Sequence, residues 1–289
     1  MTSAYSYEHS GRVVIRDRDS EREIWLHPRH AIYAPDCIQH FDYYHGAVQP
    51  THSTVVDYSQ GRFHQVVGFD DFPIFAPSLM EPFDTCRQYL ELARLTGGEF
   101  VMDLGAYCGL TSIAFAKAVG LSGFVLAVEP DPVSAATAEI NLGEYRRVSK
   151  LRNVRLMDCA VAGTAAIRPF VSEGNMGSGF TGTLHASRHA TARVAAYTLD
   201  HLMATTGLAR VDFVKMDIEG AELEVLRAAG GFLERFRPRL IVEPHFVEGR
   251  LVTDDVCDLL SGYGYEVDVI QQRGVAIPLI TAEPGRHHD

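Results

Sequence analysis

From Glu99 onward, short apolar runs alternate with segments of helical periodicity, and this alternation constrains the fold more than any other feature of the chain. Phe100–Leu104, Phe124–Val128, Val154–Met157, Val211–Met216 and Leu240–Val242 read as strands, being short, mostly apolar and punctuated by Gly, Pro, Asn or Asp. Between and after them, Leu110–Val119, Val133–Leu142, Ala221–Ala229 and Thr253–Leu260 read as helices, and Tyr265–Ile270 and Val275–Ile280 as closing strands. Strands that are apolar along their length are covered on both faces, so the pattern predicts an α/β fold with an open, doubly wound, mostly parallel, Rossmann-like sheet. In such sheets a ligand sits beyond the carboxyl ends of the strands, where strand order reverses.

Residues 1–97 have another texture, rich in His, Tyr, Phe and Pro with weak periodicity. Arg12–Ile15 and Val66–Phe69 are strand-like, and a helix is expected over Pro82–Leu95, stopped by Thr96-Gly97-Gly98. The expected division is an N-terminal accessory or cap layer, 1–97, followed by the sheet domain, 98–289.

Composition narrows the function classes. With 46% apolar and 22% charged residues the chain can bury a sizeable core, and global disorder is excluded. A net charge of −11 without a basic run gives nucleic acid no general electrostatic attraction, so no nucleic-acid partner is expected. No stretch reaches the roughly 18 consecutive apolar residues of a membrane span, and the polar start lacks the layout of a signal peptide. A soluble, cytoplasmic protein is therefore expected. The five cysteines are odd in number, scattered and without a CxxC pair, which argues against a disulfide framework and a structural zinc site.

Five strand tips carry chemistry. The first strand runs through Val101-Met102-Asp103-Leu104 into Gly105-Ala106-Tyr107-Cys108-Gly109, a turn bracketed by two glycines. Gly105 suits close approach of backbone and ligand, and Gly109 close packing of helix on strand. Tyr107 stands where a dinucleotide fingerprint has its middle glycine, and Asp103 repels phosphate while suiting an ammonium or sulfonium. The turn thus prefers a cationic nucleoside to a dinucleotide, although a tight βα turn alone would use the same glycines. In Val128-Glu129-Pro130-Asp131-Pro132, Glu129 ends the next strand about 25 residues beyond the glycine turn, where α/β nucleotide sites place the carboxylate that accepts ribose hydroxyls. A plain helix opening by the two prolines is the competing reading. Asp158 ends the third strand beside Cys159 and suits the exocyclic amine of adenine, or an ordinary loop cap. Asp217 and Glu219, in Val214-Lys215-Met216-Asp217-Ile218-Glu219-Gly220, point into the same cleft or, for Glu219 above all, cap the following helix. Glu243 and His245 fall on one side of the extended Val242-Glu243-Pro244-His245.

These residues resemble the FkbM-type S-adenosylmethionine-dependent methyltransferases over about Glu99 to Phe246. The likeness rests on D-L-G-A-Y-C-G, V-E-P-D-P, Asn175-Met176-Gly177-Ser178, Thr198-Leu199-Asp200-His201-Leu202, and above all V-D-F-V-K-M-D-I-E-G-A-E-L-E-V-L followed by R-P-R-L-I-V-E-P-H. It implies a class I methyltransferase fold for 98–289 and methyl transfer from S-adenosylmethionine to an oxygen of a sugar, glycolipid or natural product. It also implies that Asp103, Gly105, Ala106, Tyr107 and Gly109 hold the methionine part, Glu129 with Pro130 the ribose, and Asp158 with Cys159 the adenine. Related sugar and macrolide enzymes bind a divalent cation beyond the fourth and fifth strands, which places Asp217 and Glu243, with His245 beside them, as candidate Mg²⁺ ligands.

An alcohol becomes a nucleophile only when its proton has somewhere to go. His245 as general base oriented by Asp217 is one device, and a metal held by Asp217 and Glu243 the other. The N-terminal histidines (His27, His30, His40, His45, His52, His64) lack ligand spacing and read as solvated or hydrogen-bonded. Together with the neighbouring aromatics, the N-terminal half is expected to cover a small-molecule or glycan acceptor, and Gly174–His185 to form a mobile loop near it. His287 and His288 read as an exposed tail. The rival classes are an NAD-dependent oxidoreductase, which Tyr107 disfavours, and a non-catalytic nucleoside-binding protein. The sequence leaves oligomeric state open, a homo-oligomer included.

Overall fold

The strands expected in the second half enter one seven-stranded sheet in the computed structural model, which describes residues 4–180 and 191–285. In chain order the elements are β1 (Ala4–His9), β2 (Arg12–Asp17), β3 (Glu23–Leu26), α1 (Ala34–Gln39), α2 (Phe41–Gly46), β4 (Val55–Tyr58), β5 (Arg62–His64), β6 (Ile74–Ala76) and α3 (Phe83–Ala93). There follow β7 (Phe100–Leu104), α4 (Leu110–Val119), β8 (Phe124–Val128), α5 (Pro132–Ser149), β9 (Val154–Met157), β10 (Ala160–Val161), β11 (Ala166–Val171), β12 (Gly179–Phe180), β13 (Ala192–Tyr197) and α6 (Leu199–Thr206). The chain closes with β14 (Phe213–Met216), α7 (Glu222–Ala228), α8 (Gly230–Phe236), β15 (Arg239–Val242), β16 (Phe246–Val247), β17 (Arg250–Leu251), α9 (Thr253–Gly262), β18 (Tyr265–Gln271) and β19 (Pro278–Pro284).

Contacts divide the chain into two compact units, one of residues up to Arg87 with Arg273–Val275, the other of Gln88–Gln272 with the chain from Ala276 onward. The first is built on the four-stranded sheet β1-β2-β3-β4, antiparallel except for the parallel β3–β4 pair. Val13, Ile15, Ile24, Leu26, Val56 and Tyr58 are buried, with the period of two clean in β3, while Val14 of β2 and Asp57 of β4 between them are buried too. Val66–Phe69 is a turn with a single bridge from Val66 to Val48, not a strand, because the ladder stops after one pair. The helix expected over Pro82–Leu95 is α3 and ends earlier, with Arg94 rather than a glycine taking the left-handed conformation at φ 46°.

The second unit is built on the order β18-β19-β15-β14-β7-β8-β9, in which β19 alone runs antiparallel to its neighbours. On one face, Met102, Leu104, Val214, Met216, Leu240 and Val242 share a core with Val225 and Leu226 of α7, Phe232 and Leu233 of α8, and Val256 and Leu260 of α9. The alternate residues turn the other way, where Phe213 meets Phe115 of α4 edge to face at 5.6 Å. The expected doubly wound, mostly parallel sheet is thus present, with the switch point between β7 and β14, where the chain returns after building outward through β8 and β9. The last strand lies at Pro278–Pro284, three residues later than expected, since Arg273–Val275 belong to the other unit. α5 runs to Ser149, well past the expected Leu142, and β14 starts at Phe213 rather than Val211. A second sheet, β10-β13-β11-β12, had no counterpart in the sequence reading. Among the described residues no helix is long and apolar enough to cross a membrane.

Candidate active site

Four loops leave the carboxyl ends of β7, β8, β14 and β15. Gly105 closes β7 at φ 81°, and a Cβ there would lie 1.7 Å from the carbonyl oxygen of Asp217. The close approach expected at Gly105 is therefore made by the backbone beyond β14. At Gly109, φ 82°, a Cβ would touch Ala138 of α5 at 3.4 Å, so this glycine serves helix–helix packing where helix–strand packing was expected. Gly105 and Ala106 donate to the Val128 carbonyl at 3.0 and 3.1 Å, tying the turn to β8. Tyr107 holds the left-handed conformation at φ 47° and donates its N–H to Glu129 at 2.7 Å.

Glu129 receives that bond on one oxygen and the N–H of Asp131 on the other at 2.8 Å. Burial outweighs both bonds and pushes its carboxyl up to about 8. Pro130 separates Glu129 from Asp131, which is fully buried and caps α5 through Val133 and Ser134. The other oxygen of Asp131 accepts from the N–H groups of Glu173 and Gly174 and from the Ser178 hydroxyl. The expected mobile loop Gly174–His185 is thus pinned over its described part, and residues 181–185 lie outside the described residues, as do His287 and His288. Asp158 is exposed just beyond β9, and Cys159 next to it is buried, its thiol pushed up to about 12 by burial.

Asp103 is wholly buried, accepts from the Ser112 hydroxyl at 2.5 Å and faces Lys215 at 3.7 Å. Burial raises its pKa against the lowering effect of Lys215. Lys215, a cation inside β14, lies 3.1 Å from Asp217 and donates to the Gly105 carbonyl at 2.9 Å. Burial works against its charge, and Asp217 and Asp103 overcome that effect, so its pKa is raised.

At the tips of β14 and β15 the structure brings together Asp217, Glu243 and His245, whose donor atoms lie within 4.8 Å of one another, the one such grouping among the described residues. His245 is buried, with Nδ1 against Glu222 at 2.9 Å and Nε2 at 3.7 Å from both Asp217 and Glu219. Burial disfavours its charge, but Glu219, Glu222 and Asp217 raise its pKa well above the usual value. Glu219 stands at φ 55° two residues before the N-cap of α7, Ala221, and Glu222 accepts from the Ile218 and Gly220 N–H groups. Glu243 accepts from the Tyr89 hydroxyl at 2.9 Å.

Lys215, Glu222 and Tyr89 had no assigned role in the sequence. Lys215 had a signal, a charge inside an apolar strand, and Glu222 a weaker one, an acid on the buried side of an amphipathic helix. Tyr89 had none, because it precedes the sheet and meets Glu243 across a separation of 154 residues.

A reversed strand between parallel ones, with an acid-tipped, glycine-turned switch point, defines a class I methyltransferase fold. The methyltransferase FkbM domain matches residues 103–267, more than half of the chain. The chain belongs to the FkbM methyltransferase domain family. Among solved structures it is similar to a methyltransferase FkbM from Methylobacillus flagellatus, with 18% identity, TM-score 0.51, and coverage of 70% of this chain and 48% of that one, so it spans about half of that protein's length. A precorrin-6y C5,15-methyltransferase from Geobacter metallireducens has 17% identity, TM-score 0.42, and coverage of 70% and 89%. The O-methyltransferase TomG from Streptomyces achromogenes, solved with S-adenosylmethionine, has 15% identity, TM-score 0.46, and coverage of 73% and 83%. No curated protein matches the sequence significantly.

Proposed function

We propose that the protein transfers the methyl group of S-adenosylmethionine to a hydroxyl oxygen of a sugar, glycolipid or natural-product scaffold. The observation that carries this reading is one sheet edge with two halves: a glycine turn with the buried Glu129 beside it, and the Asp217–Glu243–His245 group at the tips of β14 and β15. The first half suits the donor. Glu129 accepts ribose hydroxyls, the Gly105–Gly109 turn with Asp103 behind it receives the methionine part, and Asp158 and Cys159 border the adenine. Asp103 acts from behind the turn, because its side chain is fully buried.

The second half suits the acceptor. As the oxygen attacks the methyl carbon, the carbon–sulfur bond breaks to leave the neutral thioether, and the hydroxyl proton must depart. Asp217, about a quarter exposed, receives that proton; His245, its pKa raised by the surrounding acids, orients Asp217 when protonated and becomes a ligand only where a cation displaces the Nε2 proton. The same residues fit a divalent cation: carboxylate and imidazole donors converge, Glu222 turns Nε2 toward Asp217, and its second oxygen is buried without a hydrogen-bond partner. Asp217, Glu243 and His245 would hold Mg²⁺ or Mn²⁺, which when bound makes a coordinated hydroxyl more acidic.

Calorimetric titration with S-adenosylhomocysteine and with NAD tests the proposal. Binding of the former alone is expected, and binding of NAD alone would overturn it. Loss of methyl transfer on chelation, restored by Mg²⁺ or Mn²⁺, is expected for the cation, and undiminished transfer would exclude it.

A further inference from the structure

Lys215 does more than neutralise a buried acid. All four residues of β14 are buried, and the register places Lys215 directly beside Asp103 of β7. A simple counterion would sit closest to that neighbour, yet Nζ is 3.7 Å from Asp103, 3.1 Å from Asp217 and 2.9 Å from the Gly105 carbonyl oxygen. Its two nearest partners belong to the loops leaving β7 and β14, the pair that flanks the switch point. Those loops already touch, since the Asp217 carbonyl occupies the space a Cβ of Gly105 would need. The Tyr89 ring lies 5.6 Å from Nζ, and its hydroxyl reaches Glu243, which carries the brace on to β15.

We propose that Lys215 is a positioning residue for methyl transfer, bracing the cofactor-side turn at Gly105 against the acceptor-side carboxylate of Asp217. The inference rests on the methyl-transfer reading above, in which the two groups flank donor and acceptor. In-line transfer depends on that spacing, and a displacement of about 1 Å is enough to cost on the order of a hundredfold in rate. A lysine suits the task because a compact ammonium on a flexible stem reaches a carbonyl and a carboxylate at once, which a planar guanidinium does less well.

The test is amide hydrogen exchange on the ligand-free protein, with S-adenosylhomocysteine calorimetry, for Lys215→Met, Asp103→Asn and the double variant. The double variant keeps the interior neutral and is read against Asp103→Asn where Lys215→Met fails to fold. Loss of the charge-assisted bonds should speed exchange over residues 105–109 and 217–220, and weaken S-adenosylhomocysteine binding, each about tenfold or more. Exchange in β8 and β9 should stay as in the parent. A counterion role alone predicts that the double variant has the loop exchange and affinity of Asp103→Asn, and that result overturns the proposal. Failure of the wild type to bind S-adenosylhomocysteine would instead remove the methyl-transfer reading, and the exchange data separate the two failures.

Discussion

Nδ1 of His245 lies 2.9 Å from Oε1 of Glu222, both side chains buried, and this contact decides that Nε2 is the nitrogen facing Asp217. A carboxylate behind an imidazole fixes ring orientation and strengthens the opposite nitrogen as a ligand. Glu222→Gln should therefore weaken Mn²⁺ binding about 10–100-fold with little effect on S-adenosylhomocysteine affinity. Calorimetry with each ligand checks this, and wild-type Mn²⁺ affinity in the variant would remove the orienting role.

Gly105→Ala combines a left-handed φ of 81° with a contact of 1.7 Å to a backbone oxygen. Backbone cannot rotate away as a side-chain end can, so the loss should exceed about 3 kcal/mol. Urea unfolding measures it; a change below about 1 kcal/mol would show that the two loops part freely.

Glu129 gives the site a pH dependence. Burial pushes its carboxyl up to about 8, and the anion is the better acceptor for ribose hydroxyls. Affinity for S-adenosylhomocysteine should thus rise from pH 6 to about 8 and level off above it, and Glu129→Gln should remove that slope. For the fold the sign is opposite. The raised pKa means the native state binds more protons between the ordinary carboxyl value of 4.5 and about 8, so this group costs stability as pH rises through that window. A slope unchanged in Glu129→Gln would assign the titration to another group.

Asp131 holds α5 and the 173–178 segment with one carboxylate, accepting from Val133, Ser134, Glu173, Gly174 and Ser178. Asp131→Ala removes a helix cap and a loop anchor together, with an expected loss of about 2–4 kcal/mol. Faster proteolysis within 173–178 should accompany it. Stability within about 0.5 kcal/mol of wild type would show that water replaces the carboxylate fully.

The chain's own order of residues determined the sheet and the positions of its acids. Phe100–Leu104, Phe124–Val128 and Val154–Met157 are strands with the bounds their apolar runs suggest, because burial in the sheet leaves a mostly apolar signal, interrupted only at Asp103 and Arg155, and Gly, Asp or Glu ends each run. Asp103, Glu129, Asp217, Glu243 and His245 were legible for the same reason: each stands at or just beyond a strand that the pattern fixes. Tertiary structure alone decided what those side chains touch. The proximity of Glu222 to His245, of Tyr89 to Glu243 and of Lys215 to Gly105 spans 23, 154 and 110 residues of sequence, and no local periodicity encodes such pairs. The burial that raises Glu129 and encloses His245 among acids is likewise a property of the assembled interior, since desolvation depends on neighbours that only folding supplies.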